Sequence, residues 1–448
     1  MEVSDVAVPV FPPGPKSQAL LQRLQHAIGS ANYTGLYGIS LEKGENYLVQ
    51  DVDGNIYVDC LSSASSCSLG YGQDFLIKAY SDSAKDIQQT CFTYSPNVHA
   101  IELAEKLKAL WPDQSEVRVM LGLSGSDSSG GAIKALRKYT KKPKVIHFKN
   151  DYHGSTGLSQ QASDYGSLDD GIYSQNDLFI EHSFPTTDAQ AAQRLIEIAA
   201  DLALEDVGGI ICEVIQGDAG IVVPPAGFIK GLRELTDATG TLLIVDEVQS
   251  GMGRTGKWWA FEHEDIVPDM IVTAKGLSGG YAPISAVIGR KEIIDSLSAG
   301  QHIFTFGGHP PSAAVACAVI DYIREKNLPD HAASLGSYLI GELEVIKAVF
   351  PQQILQVRGK GLMIGLQINI DASDIAGKVF ATRCAEKGLY VGFFGVDADI
   401  VRIQPPLILD QKGADFILTT IKDVAVEIRD NKVPQKTYEN VNKYSIGI

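Results

Sequence analysis

"LLIVDEVQSGMGRTGKWWAF", Leu242 to Phe261, carries two phosphate-loop patterns at once. Gly251-x-Gly253-x-x-Gly256 matches the dinucleotide fingerprint, and Gly251 to Lys257 reads as GxxxxGK. A nucleoside-triphosphate loop needs Ser or Thr after the lysine to hold magnesium, and a helix whose N-terminus faces the phosphates; Trp258 and Trp259 follow instead. A dinucleotide fingerprint places its glycines directly after the strand, whereas this strand ends in Asp246-Glu247, two carboxylates that would repel a pyrophosphate. Both matches therefore read as coincidences. What remains is an apolar strand delivering a carboxylate to a turn, which calls for a cationic partner.

A length of 448 residues fits two domains, and 45% hydrophobic residues suffice to bury both cores. A net charge of −16 argues against nucleic acid or an anionic membrane surface as partner and favours a small-molecule ligand. Cys60, Cys67, Cys91, Cys212, Cys317 and Cys384 show no CxxC spacing, and neither a signal-peptide pattern nor a membrane-length apolar run is found. The expectation is a cytoplasmic protein with free thiols. The nine histidines lack HExxH or paired-ligand spacing, so no metal is expected.

The first dozen residues, ending "VFPPGP", read as a loose arm before a helix from Ser17 to about Ile28. "YLVQDVDGNIYVD" alternates on either side of Asp53-Gly54, a hairpin signal. Apolar strands such as "VRVMLGL", "KVIHF", "GGIICEV", "TLLIVDE" and "DMIVTA" then alternate with helical segments, the pattern of a parallel sheet covered on both faces. The predicted organisation is α/β: residues 1–60 joining a small domain, 61–327 a large mainly parallel-sheet α/β/α domain, and 328–448 a smaller α+β domain containing "LMIGLQINI" and "IVRIQPPLIL".

In open parallel sheets ligands sit at the carboxyl ends of the strands. After "VRVMLGL" comes "SGSDSSGGAIKALRKYT", where Gly125 and Ser126 open a helix with backbone N–H groups and a hydroxyl turned outward. This reads either as a phosphate cradle or as a plain strand-to-helix loop. Tyr152, in "KNDYHGST", reads as a ring laid on a flat ligand or as a structural aromatic. Lys275, in "IVTAKGLSGGYAPISAV", follows another apolar strand among small residues; partial desolvation there lowers a lysine's pKa and favours Schiff-base chemistry. An aspartate, a reactive lysine and a phosphate cradle together specify pyridoxal 5'-phosphate, whose ring nitrogen a carboxylate keeps protonated. Asp246 is the carboxylate that waits for that pyridinium.

With those residues in place, the chain resembles the class-III aminotransferases, the branch of fold-type I pyridoxal-phosphate enzymes that includes ornithine and 4-aminobutyrate aminotransferases. The resemblance runs from "DVDGNIYVDC" through "SGSD", "YHGST", "DEVQSGMGRTG", "TAKGL", "TFGGHP" and "VRGKGLMIG" to "VRIQPPL". It implies that Lys275 bonds covalently to the cofactor, Asp246 pairs with the pyridinium, and Val248 packs on the ring face opposite Tyr152. Gln249 would lie near the phenolic oxygen with Glu213 behind it, and Gly125 and Ser126 would hold the phosphate. The same resemblance implies a homodimer or dimer of dimers, with Thr305 reaching the other subunit's phosphate, and Arg402 binding the substrate carboxylate. The sequence departs from the family pattern at Ser128 to Gly131, at His309 where Asn is common, and at Val214 where Pro is common.

Asp218, in "CEVIQGDAG", stands where many ω-amino-acid transaminases carry Glu, and is one methylene shorter than the residue with which such enzymes make their carboxylate–arginine switch. Together with "LSSAS" and Ser159-Gln160, it resembles the isoleucine 2-epimerase and amino-acid racemase branch. Two acid/base groups flanking Cα suit that chemistry, here Lys275 and Asp218; alternatively Asp218 only shapes its loop. Arg402 favours an amino acid over a substrate lacking a carboxylate. Three functions follow: an amino-acid racemase or 2-epimerase, an aminotransferase passing the amino group to a 2-oxo acid, and, from another class, an inactive regulatory homologue.

Overall fold

The computed structural model describes residues 1–164, 177–369 and 375–445. The chain divides into two units, Asp74–Asp330 and a discontinuous one made of Met1–Gln73 with His331–Ile448.

The Asp74–Asp330 unit is built on a seven-stranded sheet. Its order is Val117–Gly122, Ser285–Arg290, Met270–Thr273, Leu242–Asp246, Val207–Glu213, Lys144–Phe148 and Phe179–His182. Ser285–Arg290 is antiparallel to both neighbours, and the other described pairings are parallel. The apolar pattern anticipates the parallel strands, but "SAVIGR" has the same texture, and only its pairing reveals its reversed direction. Val207–Glu213 and Leu242–Asp246 are buried at every position, as strands covered on both faces must be.

Helix Gly125–Thr140 shows why one face of this sheet is closed. Ser124 caps it by accepting from the Asp127 amide, and the Asp127 carboxylate answers to the Ser124 N–H, a reciprocal box. Ala132, Ile133, Ala135 and Leu136 recur at helical spacing and pack with Val145, Ile211, Ile244, Val272 and Val287 of the sheet. Each large apolar side chain buried there contributes about 1.5–3 kcal/mol. Lys141, in the left-handed region at φ 60°, ends the helix.

The discontinuous unit holds two four-stranded sheets, one of Leu41–Glu45, Leu48–Asp51, Ile56–Asp59 and Leu389–Tyr390, the other of Ile354–Lys360, Met363–Ile368, Ile400–Ile403 and Gly392–Phe394. The N-terminal arm is not loose, as its Pro-rich composition suggests. The Ile56 amide donates to the Ala7 carbonyl at 2.9 Å, and the Val10 amide to Asn55 Oδ1 at 2.9 Å, so the arm is held against the hairpin it precedes. Ser62 to Ser65 form a left-handed turn, with φ of 48°, 47°, 56° and 69°. Asp59 Oδ1 accepts the amides of Leu61 and Ser62, and Ser65 Oγ donates to Gln404 Oε1 at 2.6 Å.

Candidate active site

The carboxyl ends of the parallel strands in the Asp74–Asp330 unit carry most of the residues singled out in the sequence. Asp246 closes Leu242–Asp246 and is buried. Its Oδ1 accepts the Val248 amide at 3.0 Å, and its Oδ2 lies 2.8 Å from His153 Nδ1. The other ring nitrogen, Nε2, lies 3.2 Å from Asp151 Oδ2. Burial opposes a charge on His153, yet its bonds to Asp151 and Asp246 outweigh burial and raise its pKa to about 10. At neutral pH it is an imidazolium held between two carboxylates.

The loop after Lys144–Phe148 brings Gly154 and Ser155 against the start of helix Gly125–Thr140. Gly154 sits at φ 134°, and a methyl there would lie 2.4 Å from Ser126 Oγ. The Ser155 amide donates to that same hydroxyl at 3.2 Å. A methyl on Gly125 would lie 3.2 Å from both γ-carbons of Val248, so the helix start and the residue after Asp246 are in close approach. Burial raises the Tyr152 pKa, with the charges of Asp218, Asp246 and Glu213 adding to it. Glu213 is buried, Oε1 accepting the Tyr152 amide at 2.9 Å and Oε2 the Gly217 amide at 2.8 Å. Burial pushes its pKa well up.

Asp218 is half-buried in the turn Gly217–Gly220, which closes where Gln216 and Val222 pair antiparallel. Gln249 is buried, and its side-chain amide occupies the space a methyl on Gly217 would need, 2.3 Å from Oε1. Lys275 follows Met270–Thr273, whose Val272 pairs with Asp246. It is half-buried at φ 41°, a left-handed conformation costly for a residue with a side chain.

Gly125, Ser126, Tyr152, Glu213, Asp246, Val248 and Gln249 thus form one network of contacts, with Asp218 in the turn beside it and Lys275 one strand over. Thr305 is not part of it: it is exposed, its carbonyl accepting from Gln89 Nε2 at 3.3 Å. Arg402 belongs to the discontinuous unit, where it is buried on Ile400–Ile403 with its guanidinium carbon 3.3 Å from the Phe394 ring centroid. The sequence reading passed over His153 and Asp151. Its available signal was a histidine directly after Tyr152 in a strand-end loop, but the partner Asp246 lies 93 residues away. The glycines after Asp246 shape a loop in which Glu247 Oε1 accepts the Phe261 amide and Trp259 Nε1 donates to the Leu110 carbonyl. Among the described residues no cluster suited to a metal ion is found, and no helix is long and apolar enough to cross a membrane.

The family model for aminotransferase class III matches residues 28–425. The chain belongs to the class-III aminotransferases. It is 35% identical to an alanine/serine racemase of Pyrococcus horikoshii, covering 95% of this chain and 94% of that protein. A leucine/methionine racemase of Thermococcus litoralis is also 35% identical, covering 95% of this chain and 99% of the relative. In structure, this class-III chain is similar to an ornithine aminotransferase of Toxoplasma gondii, described with partial occupancy of PLP at its active site. The TM-score is 0.84 and the identity 26%, over 93% of this chain and 96% of that one. The fold is that of the fold-type I enzymes, and the cofactor is pyridoxal 5'-phosphate. The donor set fits this cofactor. The first amides of a 16-residue helix, at Gly125 and Ser126, suit a phosphate, and a buried carboxylate backed by an imidazolium suits a pyridinium.

Proposed function

We propose that the protein is a pyridoxal-phosphate amino-acid racemase or 2-epimerase, acting at Cα of a free amino acid with Lys275 and Asp218 as the two bases. The observation carrying this reading is Asp218 itself: a half-buried carboxylate whose charge acts on Tyr152, in the turn where Gly217 meets the Gln249 side chain. The two racemases among the relatives support it.

Gly125 and Ser126 would hold the phosphate, Lys275 the aldehyde carbon, Asp246 the ring nitrogen, and Tyr152 and Val248 the two ring faces, with Gln249 and Glu213 on the phenolic side. When bound, the cofactor supplies an electron sink for the pair left on Cα after its proton departs. Lys275 removes or returns that proton on one side, and Asp218 does the same on the other. His153 holds Asp246 in place through Nδ1. Arg402 takes the substrate carboxylate, and Thr305 reaches the phosphate of a second copy in a homodimer. A cytoplasmic location accompanies this reading.

The test is incubation of one enantiopure amino acid in deuterium oxide without any keto acid. Deuterium should appear at Cα of the product enantiomer or epimer, without stoichiometric keto acid. Asp218→Asn should suppress inversion far more than Cα exchange in the enantiomer whose Cα proton faces Lys275, because Lys275 still serves its own side. The structural likeness to an ornithine aminotransferase favours the second reading, amino transfer to a 2-oxo acid. A strict keto-acid requirement with no change in optical rotation would replace the first reading by that one.

A further inference from the structure

Two buried carboxylates join the loop carrying Asp218 to the segment carrying Tyr152 and His153. Glu213 does so through backbone amides, Tyr152 N on one oxygen and Gly217 N on the other. Asp151 does so through a side chain. Its Oδ1 accepts from Gln216 Nε2 at 2.8 Å, and its Oδ2 faces His153 Nε2 at 3.2 Å. The second hydrogen of the Gln216 amide goes to the Lys149 carbonyl, also at 2.8 Å. Gln216 is 1% exposed and Asp151 is fully buried. The Gln216 backbone meanwhile closes the turn, its amide donating to the Val222 carbonyl and its carbonyl accepting the Val222 amide. A single residue therefore shuts the neck of the Asp218 loop with its main chain and pins that neck with its side chain.

We propose that Gln216 is a positioning residue for Asp218, its side-chain amide anchoring the loop on Asp151 and the Lys149 carbonyl so that the Asp218 carboxylate keeps a fixed approach to Cα. This rests on the reading of Asp218 as the second base. The geometry makes Asp151 a junction: Asp246, His153, Asp151 and Gln216 form one hydrogen-bonded chain ending two residues before Asp218. Loss of the Gln216 amide leaves the Asp246–His153 pair and the Glu213 tie intact, so the effect belongs to the loop alone. Two hydrogen bonds are lost, one to the Lys149 carbonyl and one to the Asp151 carboxylate, so the effect should be roughly tenfold or more in a local equilibrium.

The experiment uses the cofactor-loaded enzyme and Gln216→Met, which keeps the side-chain volume and removes both donors. Backbone amides of residues 218–222 should exchange with deuterium about tenfold faster, while those of Gly125–Thr140 stay unchanged. The ratio of inversion to Cα exchange in the enantiomer whose Cα proton faces Lys275 should fall about tenfold, with cofactor absorbance and affinity within about twofold of wild type. Gln216→Asn, one methylene too short to span to Asp151, should do the same and serves if the first variant does not fold. An unchanged ratio, or an altered ratio with unchanged amide exchange, would overturn the anchor. Asp218→Asn separates the two readings. If it lowers the ratio while Gln216→Met does not, only the anchor fails; if it leaves the ratio alone, the second-base reading fails and the anchor falls with it.

Discussion

Lys275 at φ 41° offers a measurement of backbone strain that does not depend on turnover. Lys275→Ala and Lys275→Gly both delete the amine, so the difference between them isolates the main chain. The left-handed conformation costs a residue bearing a Cβ about 1–2 kcal/mol, and glycine avoids that cost. Against this, glycine gives the unfolded chain more freedom, which at an unstrained position favours alanine by about 0.4–1 kcal/mol. The two terms leave the glycine variant ahead by about 1 kcal/mol. At Lys138, exposed inside helix Gly125–Thr140, the same exchange should favour alanine by about 1 kcal/mol. The assay is urea denaturation of the cofactor-free variants, compared at their midpoints so that ligand binding does not enter. Lys275→Ala equal to or more stable than Lys275→Gly would refute the claim that the fold holds this lysine in a strained conformation.

Two other perturbations have definite signs. His153 has a folded pKa of about 10 against an ordinary value near 6.5, so its contribution is complete below about pH 6.5 and lost as pH rises through 10. Denaturation midpoints of the cofactor-free protein at pH 6, 8 and 10 should therefore fall more steeply for wild type than for His153→Gln, and parallel curves would contradict the imidazolium. Gly154→Ala places a methyl 2.4 Å from Ser126 Oγ at φ 134°, so the Tyr152 loop must move off the helix start. Cofactor affinity, followed by absorbance titration, should drop about tenfold or more in a protein that still folds; wild-type affinity would show that the close approach is dispensable.

The strands that carry the site were legible because their signal is local. "TLLIVDE" and "GGIICEV" are apolar at nearly every position, and Asp246 and Glu213 stand at their ends because a carboxylate is costly anywhere further inside. The helix start at Gly125 was legible from its small residues after an apolar strand, and the structure adds the cap formed by Ser124 and Asp127. His153 was not legible in the same way, since its charge depends on Asp151 and Asp246 acting against burial, and of these only Asp151 lies in its own segment. The tied-down N-terminal arm failed for the same reason: proline content describes a segment's own preferences, whereas Asn55 and Ile56 supply the bonds that hold it. Direction also escapes local reading, because a fully buried strand looks alike run either way, as Ser285–Arg290 demonstrates.

The left-handed turn at Ser62 to Ser65 bears on how the chain can be made. Four such residues in a row cost about 4–8 kcal/mol together, comparable to the whole net stability of a typical protein. Part of the opposing hold comes from Asp59 nearby, but Ser65 draws on Gln404, 339 residues further along. A nascent chain leaving the ribosome has its first 65 residues in the open long before Gln404 has been joined to it. During that interval Asp74–Asp330 can complete its own sheet, whereas Ser65 still lacks its Gln404 partner. The order of translation is therefore at odds with the order of space in this unit, and the bond that holds the end of this turn can form only after nearly all the rest has been synthesised.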